Sequence, residues 1–357
     1  MIQIKVPATS ANIGSGFDSL GLAVRMYNTV EMELWDGVLV EALDSAPIPT
    51  DEHNLIYKTA KYLFDLCGKP LPGLHIRQEN VIPMARGLGS SSACIVAGLT
   101  GANLLMGEPL TREDIINMAA TMEGHPDNST PAILGGQVTA AIENGKVFYC
   151  RQELKDDLRF AAIIPDSELK TSQARAALPK EVTHKEAVFN LSRSALMAVS
   201  LATGKYENLR VASQDRLHQP YRLPLIPGAR QVMDCALEFG ALCVYISGAG
   251  STLMALVPAQ NDSFFRHLRC YLDTAGLAAW RLELLGPDNT GTVVGGRPRP
   301  PPPDRSRRGP GGLTFSTEQW REQDEPDRAE VRRFFRSQCR TDHERCKHHH
   351  RDLCQRQ

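Results

Sequence analysis

Apolar and polar positions alternate along MIQIKVPA at the start of the chain, the period-2 signature of a strand with one buried face. TVEMELW, rich in β-formers, reads as a second strand. Between them lies TSANIGSGFDSLGLAV, rich in Gly, Ser and Asn and apolar only toward its end. A helical period follows over HNLIYKTAKYLFDLCG, closed by Gly68 and then Pro70. LHIRQENVIP is strand-like again and leads into PMARGLGSSSA, residues 83–93. The next helix is predicted from about residue 91 to 106. Another starts at Thr111, where Asp114 makes a near capping box, and it breaks at Gly124. GGQVTAAIENGKVFYC reads as a hairpin turned at Asn144 and Gly145.

Polar RQELKDDLR separates a second unit. RFAAIIPD is a strand, and the stretch 184–203 is helical. ALCVYISGAGSTLMALVP gives two apolar runs about a small-residue turn. A charged helix, SFFRHLRCYLDTAG, and a strand, WRLELLG, come last. This alternation predicts a second, compact α+β unit ending near Val294. Past Gly296 the run RPRPPPPDRSRRGPGG sustains neither helix nor strand, because proline removes donors and arginines repel. Residues 295–357 therefore read as a disordered Pro/Arg-rich extension, or as a translated stretch unrelated to the fold. Cys339, His343, Cys346, His348, His349, His350 and Cys354 in it are metal-ligand types, without the CxxC spacing of structural zinc sites.

A length of 357 residues fits two domains, and 42% hydrophobic content supports sizeable cores. A net charge of −1 gives no global attraction to nucleic acid or to an anionic membrane. No apolar run is long enough to cross a bilayer, and the opening MIQIKVPATS lacks a signal-peptide pattern. The nine cysteines are odd in number and scattered, most of them in apolar runs, which predicts reduced thiols. These features together predict a soluble cytoplasmic α/β or α+β enzyme.

PMARGLGSSSA stands where a helix begins. First-turn amides of a helix have no partner within it, and the helix dipole adds partial positive charge there. Phosphate suits such a nest. Gly87 and Gly89 let the backbone approach closely, and Ser90, Ser91 and Ser92 add hydroxyls for phosphate oxygens or Mg²⁺. No lysine follows Gly89, so the P-loop pattern is not matched, and neither is GxGxxG. A plain turn with a serine cap is the alternative.

Residues 83–93 resemble, at every defining position, the phosphate-loop motif PxxxGLGSSxA of the GHMP small-molecule kinases. KVPATSANIGSGFDSLGLAV, residues 5–24, resembles the family's N-terminal substrate motif. SGAGSTLMAL, residues 247–256, resembles its C-terminal Gly-rich motif, with Ser251 where many members have proline. EGHPDNSTPAILGG, TSQARAALP and LHQPYR resemble the branch of the family that acts on the amino acid L-homoserine. The resemblance covers the chain to about Val294 and nothing beyond.

That resemblance implies a two-domain α+β GHMP kinase fold. The N-terminal α+β domain, 1–155, would carry a left-handed βαβ-type phosphate loop, and the C-terminal domain, 156–294, would be ferredoxin-like. It implies ATP in the cleft between them, held by Pro83, Met84, Ala85, Arg86, Gly87, Leu88, Gly89, Ser90, Ser91, Ser92 and Ala93. Mg²⁺ would sit on Glu123 and Ser91, with Ser90 as the nearby alternative. Arg175 and Arg222 match the family's carboxylate-binding arginines, a task suited to a bidentate fork. Asp127 would take the ammonium group, with His125 orienting its loop. Asn12 and Asp18 would hold the acceptor hydroxyl, and Asp18 is also an option for a general base; otherwise a phosphate oxygen collects the proton. Apolar residues near NLIY, 54–57, would face the adenine. A homodimer is implied as well.

Each residue also has a plainer explanation. Glu123 alone would be a surface helix end, either arginine an exposed side chain, His125 a hydrogen-bonded structural histidine and Asn12 an Asx-turn residue. Other acceptors, such as mevalonate or a sugar, and a non-catalytic regulator on the same fold remain open. A nucleic-acid role for the Arg-rich end is opposed by the balanced charge of the whole chain.

Overall fold

A computed structural model describes residues 1–295 of the chain. The candidate metal ligands between Cys339 and Cys354, and nearly all of the 295–357 extension, lie outside the described residues.

The chain opens with β1 (Ile2–Ala11) and β2 (Leu20–Leu34), paired antiparallel. Ile2 and Ile4 are buried while Gln3 and Lys5 are exposed, as the alternation predicts, and from Val6 onward β1 is buried on both faces. The ladder slips between Pro7 and Ala8, so the donorless proline sits at a bulge, where no ladder bond is lost. The sequence reading began the second strand near Thr29; β2 starts nine residues earlier, at Leu20. LGLAVRMYN has few alternating positions because Leu20 to Val24 are buried on both faces.

Short β3 (Gly37–Ala42) was not read from the sequence; it lies parallel to β4 (Gly73–Asn80) at the sheet edge. Between these two strands runs α1 (Leu55–Leu66), capped by the side chain of Asn54. After β4 come α2 (Ser90–Leu105), α3 (Arg112–Glu123) and α4 (Ser129–Leu134). Thr111 and Asp114 form the full capping box of α3. β5 (Gln137–Glu143) and β6 (Lys146–Gln152) form the hairpin turned at Asn144 and Gly145, both at positive φ.

The second unit begins with β7 (Leu158–Ile164). Helices α5 (Thr171–Ala176), α6 (His184–Thr203), α7 (Leu209–Ala212), α8 (Gln219–Arg222) and α9 (Ala229–Glu238) follow. Then come β8 (Cys243–Ile246), β9 (Leu253–Pro258), α10 (Phe264–Thr274), β10 (Arg281–Leu285) and β11 (Val293–Gly295). Four antiparallel strands in the order β10-β7-β9-β8, with helices after β7 and after β9, make a ferredoxin-like unit.

β11 leaves that unit and pairs with β1, Lys5 opposite Val293 and Gln3 opposite Gly295. A boundary at Val294 therefore falls inside a strand of the other, seven-stranded sheet. Asp288, which accepts from Tyr27 Oη at 2.7 Å, fastens the returning segment to β2.

Both faces of the smaller sheet are covered, which is why RFAAIIPD is almost continuously apolar. Phe160, Ala162 and Ile164 enter a core shared with the larger sheet, while Ala161 and Ile163 enter a second core with α9 and α10. Phe160→Ala would cost roughly 3–5 kcal/mol by lost burial and the cavity left behind. The shared core keeps the two units in fixed register, and the candidate site lies along their seam.

Candidate active site

The turn between β4 and α2 is shaped by backbone rather than side chains. Gly87 and Gly89 have φ of 76° and 74°, a region that favours glycine. A Cβ on Gly87 would meet the Ser247 carbonyl at 2.1 Å, and one on Gly89 would meet Thr9 Oγ1 at 2.1 Å. Gly89 caps α2 and, among the described residues, no side chain accepts from the helix start, so the first-turn amides form an open donor set. Leu88 anchors the turn in the core. Pro83, Met84 and Arg86 are half-buried, and Ala85 is exposed at positive φ. Arg86 turns away from the open loop: Nε donates to Pro165 O at 3.0 Å and Nη2 to Asp166 O at 2.6 Å.

The C-terminal unit closes on this turn. Ser247 Oγ donates to Gly87 O at 2.6 Å and is 2.8 Å from Ser10 Oγ. The Gly248 carbonyl then accepts from Asn12 Nδ2 at 2.8 Å and from Arg222 Nη1 at 3.0 Å. Segments far apart in sequence thus share one acceptor atom.

Around that point stand the charged residues. Arg175 grips Asp18 with two hydrogen bonds, Nη2 to Oδ1 at 2.9 Å and Nη1 to Oδ2 at 3.1 Å. Arg222 is buried, with Nε on Ala174 O at 3.3 Å; among the described residues its Nη2 has no hydrogen-bond partner. Burial, with Arg175 adding to it, lowers the Arg222 pKa to about 10, so it stays cationic at neutral pH. Phe17 lies beneath both guanidinium groups, 5.7 Å from that of Arg175 and 5.1 Å from that of Arg222.

His125 Nδ1 is 2.6 Å from Asp127 Oδ1. Burial is the largest single influence on this imidazole and pulls its pKa down; Asp127, Glu123 and Asp18 together outweigh it and hold it at about 9. Asp18, His125 and Asp127 also bring ligand atoms within 4.8 Å of one another. With His125 protonated and Arg175 on Asp18, that cluster already holds its own cations.

Glu123 ends α3, and its carboxylate meets the hydroxyl of Ser92. Ser91, its expected partner, is exposed on the outer side of the first turn. Ser129 favours the charged form from nearby without a full hydrogen bond, and among the described residues Glu123 Oε2 is buried with no partner. Burial raises the Glu123 pKa, partly opposed by His125. A buried carboxylate oxygen without a donor, beside hydroxyls and a phosphate turn, fits a hard cation such as Mg²⁺.

The structure therefore gathers Asp18, His125, Asp127, Arg175 and Arg222 around one cleft beside the phosphate turn. Asn12 comes with them, but both ends of its amide brace the loop: Nδ2 on Gly248 O and Oδ1 on Asp18 N, at 3.0 Å. In the NLIY stretch, Asn54 caps α1 while Ile56 and Tyr57 enter the core. Sequence reasoning did not single out Phe17, Gly248 or His218, although each lies inside a quoted motif. Their contacts are long-range, so only the motif itself marked them.

Residues 54–136 match the GHMP kinases N terminal domain and residues 197–273 the GHMP kinases C terminal domain. The homoserine kinase of Caldicellulosiruptor saccharolyticus is 46% identical over 297 residues, 82% of this chain and 96% of the relative. That of Clostridium beijerinckii is 44% identical over 296 residues, 82% of this chain and 98% of the relative. The crystal structure of homoserine kinase from Cytophaga hutchinsonii superposes with a TM-score of 0.72 at 28% identity, covering 82% of this chain and 96% of that one. A mevalonate kinase structure at 14% identity and a TM-score of 0.60, covering 80% of this chain and 99% of that one, shares the fold. The chain belongs to the GHMP kinase family, ATP-dependent kinases of small molecules. Within that family it belongs with the homoserine kinases.

Proposed function

We propose that the cleft transfers the γ-phosphoryl group of ATP to the hydroxyl of L-homoserine, giving ADP and O-phospho-L-homoserine, a step toward threonine. The carrying observation is the charge arrangement beside the phosphate turn. Two guanidinium groups stand over Phe17 and the His125–Asp127 pair lies close by, a pattern complementary to a zwitterion. A polyol acceptor would need no such set.

The nucleotide phosphates lie on the first-turn amides of α2, with residues 83–93 shaping the cradle. Mg²⁺ would be held by Glu123 and a phosphate-loop hydroxyl, Ser91 as the resemblance implies, with Ser92 orienting the carboxylate. It would offset charge on the phosphate oxygens. Arg222, with Nη2 open, takes the substrate carboxylate, joined by Arg175 through the edge it does not share with Asp18. Asp127 takes the ammonium group on the oxygen that His125 leaves free.

Asp18 is clamped by Arg175 through both oxygens, which favours positioning over proton abstraction. The hydroxyl oxygen attacks the γ-phosphorus, ADP leaves, and the hydroxyl proton passes to an oxygen of the transferred phosphoryl group. Asp18→Asn then slows turnover without abolishing it; total loss with substrate still bound would assign the base to Asp18.

Six unpaired cysteines among the described residues support a reducing, cytoplasmic setting. No described helix is long and apolar enough to cross a membrane. The homodimer implied by the family resemblance belongs to the same proposal, with gel filtration as its check.

The deciding assay is ADP release from Mg²⁺·ATP with L-homoserine, L-serine, L-threonine, mevalonate and galactose, on the full chain and on a chain ended after Gly295. Turnover with L-homoserine alone, in both proteins, is expected. Turnover with mevalonate or galactose instead would overturn the roles given to Arg175, Arg222 and Asp127.

A further inference from the structure

His218 is fully buried between the substrate loop and α8, on which Arg222 lies. Its Nε2 is 2.6 Å from the Gly14 carbonyl, an atom that can only accept, so Nε2 carries the proton. Its Nδ1 faces Arg222 Nη1 at 3.4 Å, a group that can only donate. Both contacts are met at once only by the neutral ring with its proton on Nε2.

The ring is also stacked on Phe17, centroids 5.2 Å apart at 25°. Asp215 holds the segment in place. It accepts the backbone N–H of Leu217 at 3.0 Å on Oδ1, and those of His218 at 2.8 Å and Gln219 at 2.6 Å on Oδ2. Asn190 donates to Asp215 Oδ1 from α6 at 2.8 Å.

We propose that His218 is the positioning residue for Arg222, tying the arginine that holds the substrate carboxylate to the loop that carries Asn12 and Asp18. The proposal rests on the reading of Arg222 as a carboxylate holder. One rigid ring spans the two halves of the acceptor cleft, so loop and arginine keep a common register. The charged groups facing it are Asp215 from the preceding turn, Arg222 from α8 and Asp18 from the substrate loop. A second proton, on Nδ1, would point at the guanidinium and push it off the Gly248 carbonyl. Burial, the largest influence, pulls the imidazole pKa below its ordinary value and so keeps that proton away, while Asp215 opposes this.

The test is steady-state kinetics on the full chain, with KM for L-homoserine, KM for ATP and kcat measured separately. His218→Gln keeps a donor for Gly14 but loses the acceptor for Arg222. It is expected to raise KM for L-homoserine about 10-fold and leave KM for ATP within about 2-fold. His218→Asn, whose amide oxygen can stand at the Nδ1 position, should recover part of that loss. In an Arg222→Gln background, His218→Gln should add less than about 2-fold.

Equal damage to both KM values, or independent losses in the double variant, would overturn the positioning role. An Arg222→Gln enzyme with unchanged KM for L-homoserine would instead overturn the carboxylate reading beneath it. A readout without substitution guards against misfolding. Nitrogen-15 histidine spectra of the unaltered protein should show His218 as the neutral Nε2–H form at neutral pH, and a protonated or Nδ1–H ring refutes the proposal.

Discussion

In the phosphate turn, the glycines give the shape: their missing side chains let the Ser247 carbonyl and Thr9 come within 2.1 Å of where a Cβ would stand. In the acceptor cleft, the shape comes from charged side chains holding one another, Arg175 on Asp18 and His125 on Asp127. The first kind of site tolerates no added atom yet needs no particular side-chain chemistry beyond its hydroxyls. The second tolerates change of shape better than change of charge or donor pattern. Substitutions in the two regions should therefore fail differently, the turn by steric exclusion and the cleft by loss of affinity for one substrate.

The sharpest separation should come from Gly87→Ala. The new methyl group would overlap backbone at Ser247 and Gly250, neither of which is a flexible side-chain end, and φ of 76° adds strain. Turnover should drop by about 1000-fold, with both substrates affected, because nucleotide and motif contacts move together. A variant with normal KM for ATP would show that the turn is not rigid and would erase the contrast.

Glu123→Gln tests the border between the regions. Turnover should fall about 100-fold, the scale of losing one electrostatic contact to the transferring group. Stability should move the other way. Burial raises the Glu123 pKa above its ordinary 4.5, so the ionised form costs stability once pH exceeds that value. Without added Mg²⁺·ATP, melting temperature should rise by about 2–4 °C at neutral pH, a gain that shrinks as pH falls toward 4.5. A loss of stability would mean that the carboxylate is structural.

Legibility in the sequence followed the same division. The hairpin at Asn144 and Gly145, the Thr111 capping box and helix 184–203 were readable because each is decided by neighbours in the chain. The glycine turn that opens α2 was readable for the same reason. β3 and α4 were not, since one is a six-residue edge strand and the other a six-residue buried helix, too short for either period to show. The return of β11 to β1 was hidden because VVG carries no pattern of its own. In the cleft, residue types were legible but pairings were not. That Glu123 meets Ser92 rather than Ser91, or that Asn12 braces a loop, depends on segments that meet only in the fold.

Arg175→Ala probes the cleft alone. Its pair with Asp18 is about one-third exposed on both sides, so the fold should hardly notice, with melting temperature changing by less than about 2 °C. KM for L-homoserine should rise about 10- to 100-fold while KM for ATP stays near its original value. Arg175→Lys should recover little, because a point charge cannot replace a planar fork. Recovery by lysine would reduce the arginine's role to charge alone.

The smallest effect expected is a pH dependence at His125, and it asks whether charge pairing in the cleft is as fixed as steric fit in the turn. Its pKa stands at about 9 in the folded protein against 6.5 for the free side chain. Below pH 6.5 both folded and unfolded forms are protonated, so the stabilisation from Asp127, Glu123 and Asp18 is fully present. It is lost as pH rises from there through about 9. His125→Gln keeps a donor for Asp127 but cannot titrate. The melting-temperature difference between the original protein and this variant should be a few degrees near pH 6 and vanish near pH 10. Titrating groups remote from His125 are common to both proteins and cancel in the difference, while Glu123, whose raised pKa His125 partly offsets, shifts between them. A gap that stays constant over that range would show that His125 acts as a neutral hydrogen-bond donor, and that the cleft, like the turn, is held by fit rather than by charge.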